Sequence, residues 1–187
     1  MQLTTSRFVL RDFQDADLAA FAAYHADPRS SELYGPQQAD SRDAAQLVAL
    51  FKAWACEQPR LNFQLAVVRH DGVLVGCCGL RRKDAEPGSA ELGVELAPQY
   101  WGRFGYAMEV LKRLARFGFA DLGLTRLYGS TVSANTRISR LAAALGAVAV
   151  ARPTPAWMQA KGWRQLEWQI ALEQWLARSS SRLARGA

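Results

Sequence analysis

Two glycines three positions apart, Gly102 and Gly105, separate a strand-like segment from a helix-like one. Glycine allows a sharp turn and lets a ligand approach main-chain N–H groups without an intervening side chain. The helix expected from about Tyr106 follows directly; its first N–H groups lack partners within the helix, and its dipole adds partial positive charge. The pattern therefore predicts a site for a phosphate group. The glycine spacing fits neither a Walker loop nor a dinucleotide fingerprint.

Two carboxylates precede these glycines on a strand predicted over residues 91–97. Glu91 and Glu95 are four residues apart, so they share one face of that strand. A carboxylate facing a cleft could act as a general base. The solvent-facing side of an ordinary strand would carry the same residues, and the sequence leaves both interpretations open.

The cysteines and histidines form no comparable pattern. Cys77 and Cys78 are adjacent in a predicted strand, so they point to opposite faces and do not readily share a metal. The histidines, His25 and His70, are too far apart in sequence to indicate a site, and neither is placed to activate a thiol such as Cys56. We therefore expect neither a metal centre nor a covalent cysteine intermediate.

The rest of the chain supplies the elements that would position these residues. Alternating apolar residues predict strands, and apolar residues at helical spacing predict helices. Turn signals separate them, such as Asp71-Gly72 between two strands and Gly146 after a helix. In chain order the prediction is a strand over 4–14, helices over 15–25 and 41–57, strands over 62–69, 73–82 and 91–97, a helix over 106–120, a strand over 125–132, a helix over 135–145, and strands over 147–151 and 165–172.

Length and composition indicate a globular protein. The 187 residues suffice for one domain with its own core, and 50% of them are hydrophobic against 21% charged. No apolar run is long enough to cross a membrane and no signal-peptide layout is visible, so a cytoplasmic location is expected. The net charge of +6 favours anionic ligands, but without a basic stripe interleaved with aromatic residues we expect no nucleic acid partner. We predict a domain over 1–176, a flexible tail over 177–187, and a monomer or homodimer.

The segment around the glycines resembles the acyl-coenzyme-A-binding loop of the GNAT superfamily of N-acyltransferases. In that family the loop follows the pattern Gln/Arg-x-x-Gly-x-Gly/Ala, entered here by Gln99 and Gly102, with Phe104 as one additional residue. The opening, Thr-x-Arg-x-x-Leu-Arg with a later Ala-Asp-Pro, is similar to that of the ribosomal-protein N-terminal acetyltransferase branch. The residues that match the family's loop string are Ala97, Pro98, Tyr100, Trp101, Gly102, Gly105, Tyr106 and Ala107.

The resemblance covers residues 4 to about 172 and implies the GNAT fold. That fold is an α/β (α+β) architecture with a single mixed central sheet of about seven strands, splayed at the middle, and about four helices. The predicted order of strands and helices agrees with it.

By the same resemblance the protein is expected to be an acyl-CoA-dependent N-acyltransferase. It would transfer acetyl from acetyl-CoA, or another group from a donor such as succinyl-CoA, to a primary amine by direct attack in a ternary complex. The sequence does not choose between a protein N-terminus and a small-molecule amine as acceptor. The family's cofactor contacts correspond here to Leu96, Ala97, Gln99, Gly102, Arg103, Phe104, Gly105, Tyr106, Ala107 and Asn135.

Specific roles follow from the resemblance. The backbone of Leu96 or Ala97 would donate to the oxyanion that develops on the thioester. For the general base the resemblance names no residue here; Glu91 is the best carboxylate by position, because it starts the cofactor strand and could face the acceptor cleft. Asn135 would bind the pantetheine arm or the loop backbone. An asparagine at the start of a helix also commonly serves as an N-cap, and both roles can coexist.

Several positions depart from the family's pattern. Ile138 stands where relatives have serine, Ala142 where a general-acid tyrosine is frequent, and Val150 where a glutamate is common. These departures, together with the inserted Phe104, define the alternative: a catalytically degenerate GNAT-like module that binds acyl-CoA or a protein partner.

Overall fold

The structure, a computed structural model, describes residues 1–35, 43–102 and 105–183. It confirms the predicted fold class, a mixed α/β architecture with a single sheet. The described strands are β1 (Gln2–Thr4), β2 (Phe8–Asp12), β3 (Asn62–Arg69), β4 (Leu74–Arg81), β5 (Ser89–Leu96), β6 (Arg126–Val132), β7 (Val148–Ala151) and β8 (Gln165–Ala171). The described α-helices are α1 (Leu18–His25), α2 (Pro28–Ser31), α3 (Ala44–Cys56), α4 (Tyr106–Arg116), α5 (Thr136–Leu145), α6 (Ala156–Ala160) and α7 (Leu172–Leu183).

The sheet has the order β1-β2-β3-β4-β5-β6-β8-β7 and buries side chains on both faces. On one face, here called the α4 face, strand residues such as Leu80 and Leu127 pack with Leu114 of α4. On the opposite face, here called the α1 face, Phe21 of α1 and Phe51 of α3 form a second core cluster. Complete burial of a side chain such as that of Leu114, which is 0% exposed, contributes about 1.5–3 kcal/mol. Two packed faces thus hold the central strands in place.

The central strands β5 and β6 form a fork. They pair in parallel only over residues Ser89–Glu91 and Arg126–Tyr128, although both strands continue beyond these residues. Strand β6 stays paired with β8 along its whole length, and β5 stays paired with β4, so the gap opens between β5 and β6. Gly129 lies where the two strands part, and a side-chain carbon there would be 2.9 Å from the Leu92 oxygen. The predicted splay of the sheet is therefore present, and it starts just after Glu91.

The structure differs from the sequence prediction at several element boundaries. The strand predicted over 4–14 is two short strands, β1 and β2, so the sheet has eight strands rather than about seven. Helix α4 ends at Arg116 and is followed by a π-helical turn over Phe117–Asp121. Where a tail was expected from residue 177, α7 continues to Leu183, and its Trp175 stacks on Phe119 with ring centroids 5.9 Å apart. Residues 184–187 of that predicted tail lie outside the described residues.

None of the helices in the described ranges combines the length and the apolar character that crossing a membrane requires.

Candidate active site

The loop predicted to bind phosphate joins the end of β5 to the start of α4. Gly102 and Gly105 both have φ of 68°, a left-handed conformation that costs a residue with a side chain about 1–2 kcal/mol. Gly105 is the N-cap of α4, and because glycine has no side chain it adds no side-chain cap to the N–H groups of the first turn. These groups and the helix dipole favour an anion at the start of α4.

The remaining loop residues that were predicted to contact the cofactor differ in their exposure and packing. Gln99 is exposed on a single 3-10 turn, Pro98–Tyr100. The ring of Tyr106 packs edge-on against Phe8 with centroids 4.9 Å apart, which anchors the start of α4 on the core. Arg103 and Phe104, also predicted to contact the cofactor, lie outside the described residues.

Hydrogen bonding decides which of the two predicted backbone donors faces the fork. The N–H of Ala97 donates to the oxygen of Val75 at 2.9 Å, so Ala97 faces β4. Main-chain groups alternate in direction along a strand, so the N–H groups of Leu96 and Val94 face β6 and the fork. Of the two predicted donors, Leu96 is therefore the one whose N–H a ligand in the fork could reach.

Asn135 is the N-cap of α5, as the structural interpretation of this residue expected. Its side-chain oxygen accepts a hydrogen bond from the N–H of Ile138 at 3.3 Å. The cap uses only the carbonyl end of the side chain, and the amide NH₂ group can still donate to a ligand.

Glu91, the predicted base, lies on the α1 face of β5 at the closed end of the fork. Its carboxylate is about one-third exposed and accepts a hydrogen bond from Arg81 Nε at 3.0 Å. Arg81 also donates to Gln64 Oε1 at 3.2 Å, which fixes the guanidinium. Tyr128 is the β6 residue paired with Glu91. Burial, and next the charges of Glu91 and Glu167, raise the pKa of Tyr128, so its phenol stays protonated at neutral pH.

A second cluster on the α1 face was missed by sequence reasoning. Glu95 accepts a hydrogen bond from the Tyr34 hydroxyl at 2.9 Å, and its other oxygen lies 3.3 Å from His25 Nε2. The His25 side chain is only 7% exposed and stacks on Phe21 with centroids 4.1 Å apart. The one available signal was that Glu95 shares a strand face with Glu91; nothing in the sequence connected it to α1 or to the segment after α2.

The cysteines are not arranged for nucleophilic catalysis. Cys77 accepts hydrogen bonds from Tyr24 and Gln64 in the interior, and burial raises its pKa to about 12. Burial also raises the pKa of Cys78, whereas Cys56 is exposed. Within the described ranges no group of three or more potential ligand side chains is close enough to hold a metal ion.

A basic groove of about 690 Å³ runs along the outer side of α4, from Gly105 to α7. Among its described lining residues the acidic one, Glu109, accepts hydrogen bonds from Ser6 and from the N–H of Arg7. Burial alone would raise the pKa of Glu109, but hydrogen bonds, led by those from Thr5 and Ser6, lower it to about 2. The groove suits an anionic ligand. Its basic lining residues are Arg7, Lys112, Arg113, Arg116 and Arg178.

Comparison with known proteins places these features in a family context. The family model described as Acetyltransferase (GNAT) domain matches residues 7–148. The chain is 28% identical over 146 residues to the uncharacterized N-acetyltransferase YoaA of Bacillus subtilis (strain 168), and the match covers 77% of this chain and 81% of that protein.

Solved structures show the same fold. The chain is similar to an acetyltransferase (GNAT family) from Bacillus anthracis, with a TM-score of 0.73, 20% identity, and coverage of 92% of this chain and 99% of that one. It is also similar to spermidine N-acetyltransferase from Vibrio cholerae in complex with CoA and spermine, with a TM-score of 0.71, 17% identity, and coverage of 92% and 99%. At these identities the two structural matches show a shared fold.

Proposed function

The chain belongs to the GNAT acetyltransferase family, and from that premise we propose that it transfers an acetyl group from acetyl-CoA to a primary amine by direct attack in a ternary complex. The strongest support is that two features adjoin each other. The start of α4, which has no side-chain cap and follows Gly102 and Gly105, lies beside the fork between β5 and β6. Together they offer a pyrophosphate site and a slot for an extended pantetheine arm.

The proposed cofactor site uses each of these features in turn. The N–H groups of Gly105, Tyr106 and Ala107 bind the pyrophosphate, with Gln99 at the start of the loop. The fork-facing N–H groups of Leu96 and Val94 donate to the carbonyl oxygens of the arm and of the thioester. Arg103, Phe104 and the Asn135 amide complete the contacts. The basic groove, which begins at Gly105, receives the phosphates of the nucleotide half.

The proposed chemistry uses the side chains of Glu91, Arg81 and Tyr128 on the α1 face together with a main-chain N–H of β5. The thioester of acetyl-CoA supplies the activated acyl group. Glu91 takes a proton from the amine, directly or through one water, while Arg81 orients its carboxylate. A fork-facing N–H donates to the thioester oxygen as negative charge develops there. Tyr128, which keeps its proton, is the candidate proton donor to the departing sulfur.

Two observations bear on the acceptor. The Vibrio cholerae relative binds spermine and is named for spermidine, which supports an amine acceptor for this chain as well. The opening pattern Thr-x-Arg-x-x-Leu-Arg supports a place near the ribosomal-protein N-terminal acetyltransferase branch, for which the acceptor is a protein N-terminus. Both acceptors are primary amines, which is the acceptor class proposed for this chain. Acetyl is the simplest donor group, and succinyl-CoA is the second donor to test.

The alternative, a degenerate module that binds acyl-CoA without transfer, is favoured by one position in particular. Ala142, where relatives often have a tyrosine, is 9% exposed within α5 and can supply no proton. A module that binds acyl-CoA would share the cofactor site and differ only in turnover, whereas a module that binds a protein partner would not need that site.

Calorimetric titration with acetyl-CoA, succinyl-CoA and free coenzyme A, followed by an assay of coenzyme A release with spermine as acceptor, tests the proposal. Binding of one thioester and amine-dependent release support N-acyltransfer. Binding without release of coenzyme A across a panel of primary amines and peptides would support the degenerate module. Absence of binding to all three compounds would contradict N-acyltransfer and would support a degenerate module that binds a protein partner.

A further inference from the structure

We propose that the ion pair of Arg81 and Glu91 binds the acceptor as a zwitterion, with Arg81 binding a carboxylate next to the reacting amine, so that the acceptor is a free α-amino acid. The inference rests on the proposed N-acetyltransferase function and adds to it a specificity-determining residue, Arg81, and a substrate class. It involves no covalent step beyond that function, because the proton that Glu91 receives from the amine is the one that the proposed chemistry already removes.

The first argument is that the Arg81 guanidinium is held in place. Its Nε donates to a Glu91 oxygen at 3.0 Å, and its Nη1 donates to the side-chain oxygen of Gln64 at 3.2 Å. Gln64 is only 5% exposed, and its amide nitrogen donates to the sulfur of Cys77 at 3.3 Å. An arginine that is already fixed by two contacts loses less conformational entropy when it binds a ligand.

The second argument is that two neighbouring strands leave room for this arrangement. Gly79 of β4 and Gly93 of β5 are paired residues on the α1 face. A Cβ at Gly79 would be 2.3 Å from Gln64 Oε1, and a Cβ at Gly93 would be 3.1 Å from Arg81 Nη2. The two residues without side chains therefore let the Gln64 amide and the Arg81 guanidinium lie close against the sheet.

The third argument is the position and accessibility of the ion pair. Glu91 is the last residue of β5 that pairs with β6, and Gly93 lies just beyond it, where the fork begins. Arg81, which lies over Gly93, therefore adjoins the place where the amine is proposed to meet the thioester. The side chains of Arg81 and Glu91 are 36% and 34% exposed, so a ligand on the α1 face can reach both.

The fourth argument is the chemical match between this pair and an α-amino acid. A guanidinium has five N–H donors, of which the contacts described above use two, and its planar shape suits a carboxylate. In a free α-amino acid one carbon joins the amine to the carboxylate, so one molecule can place its amine at Glu91 and its carboxylate at Arg81. Such a zwitterion has no net charge, like the ion pair that binds it, and each of its charges meets the opposite one. An acceptor without a carboxylate next to its amine leaves Arg81 without this contact.

Binding experiments test the inference without an activity assay. Saturation-transfer nuclear magnetic resonance in the presence of free coenzyme A first identifies which of the common L-α-amino acids binds. Calorimetry then compares that amino acid with its α-carboxamide, which keeps the amine and the side chain but removes the negative charge. We expect the amino acid to bind about tenfold or more tightly, because a hydrogen bond between two charged groups is stronger than one to a neutral group.

Arg81→Gln should make the two affinities similar. The matched control is Arg69→Gln, because Arg69 is also an ion-paired arginine at the end of a strand, with Asp71 as its partner, and this variant should keep the full difference. The inference would be overturned if no amino acid binds, if the carboxamide binds as tightly as its amino acid, or if the difference persists in Arg81→Gln.

Gln64→Leu is the second variant, for the case in which Arg81→Gln does not fold. It keeps Arg81 and Glu91 but removes the oxygen that accepts from Arg81 Nη1. The preference for the amino acid over the carboxamide should fall, because the guanidinium is then held by one contact instead of two. An undiminished preference would count against the assigned geometry.

A rate comparison separates this inference from the proposed function. The unmodified protein should acetylate the amino acid with a kcat/KM about tenfold or more above that for its carboxamide, mainly through KM, and Arg81→Gln should remove the preference. Acetylation of spermine without any preference for the amino acid over its carboxamide would contradict the role of Arg81 and leave the proposed function standing. If no amine is acetylated, this assay counts against the proposed function, and the binding comparison still decides the present inference.

Discussion

The indole N–H of Trp101 donates a hydrogen bond to the main-chain oxygen of Leu96 at 2.6 Å. This contact joins the loop at the start of α4 to the fork-facing edge of β5. The guanidinium of Arg137, in the first turn of α5, lies 3.9 Å from the centroid of the same indole ring. Trp101 therefore connects the loop, β5 and α5 around the proposed cofactor site, and the geometry of the proposed phosphate loop is coupled to that of the fork.

Replacing Gly102 with valine should abolish acetyl-CoA binding. Its φ of 68° is strained for a β-branched residue, and a relaxed loop would redirect the N–H groups that are proposed to bind the pyrophosphate. Gly123→Val is the matched control, because Gly123 has φ of 65° and, like Gly102, no described atom within 4 Å of the point that a Cβ would occupy. Both variants should lose about 1–2 kcal/mol of stability. Calorimetry should show lost affinity only for Gly102→Val, and unchanged affinity there would refute the loop assignment.

Replacing Glu91 with glutamine should lower kcat by about 100-fold while leaving the dissociation constant of acetyl-CoA unchanged. The amide keeps a hydrogen-bonding group near Arg81 but cannot accept a proton from the amine. Steady-state rates and calorimetry on the same preparation check both parts. Glu86→Gln, which also removes an arginine-paired glutamate on the surface, is the control. A Glu91 variant with full turnover would remove this residue as the base.

Reversing charges in the basic groove should weaken coenzyme A binding. Lys112→Glu combined with Arg116→Glu changes two side chains of the same helix face and should raise the dissociation constant roughly tenfold at low salt, less at high salt. Arg82→Glu with Lys83→Glu makes the same change in net charge after β4. If the groove binds the 3′-phosphate, dephospho-coenzyme A should bind equally to the unmodified protein and the groove variant. Equal weakening by both double variants would indicate a general charge effect instead.

Acid should weaken the fold through Glu109. Its folded pKa of about 2 is below the unfolded value of 4.5, so its contribution to stability is complete above about pH 4.5 and is lost as the pH falls through 2. After allowance for solvent screening the contribution is about 1–2 kcal/mol. Chemical denaturation should find Glu109→Gln less stable by this amount near neutral pH and the difference shrinking toward pH 2. The exposed Glu173→Gln is the control, and a pH-independent difference would disagree with the assignment.

Thiol chemistry should distinguish the cysteines. A thiol reagent should label only Cys56 in the native protein and all three cysteines after denaturation, because Cys77 and Cys78 are buried and burial raises the pKa of both. Cys56→Ala should retain full activity. Loss of activity on replacement of Cys56 would support a covalent route and argue against direct attack.

The turn at the start of α4 was predictable because its determinants are local, whereas the fork was expected only from the family resemblance. Gly102 and Gly105 lie in one short segment with the start of α4, and both glycines adopt the left-handed conformation that the turn requires. The alternation along β5 also correctly placed Glu91 and Glu95 on one face, as their shared position on the α1 face confirms.

The Glu95 cluster was not predictable from the sequence, because it depends on how α1 packs across the sheet. Tyr34 is 61 positions from Glu95, and the pairing of His25 with this carboxylate follows from the aromatic core around Phe21. The extent of α7 was missed for a similar reason. Its serine- and arginine-rich composition resembles that of a tail, whereas the contact of Trp175 with Phe119 attaches the helix to the core.

An initial-rate study with acetyl-CoA and an amine both varied, with the product identified by mass spectrometry, decides whether the protein is an N-acetyltransferase. Transfer within a ternary complex predicts an N-acetylated amine and intersecting double-reciprocal lines. Parallel lines would instead indicate an acetylated enzyme intermediate, and the absence of any acetylated amine despite bound acetyl-CoA would contradict the proposed function.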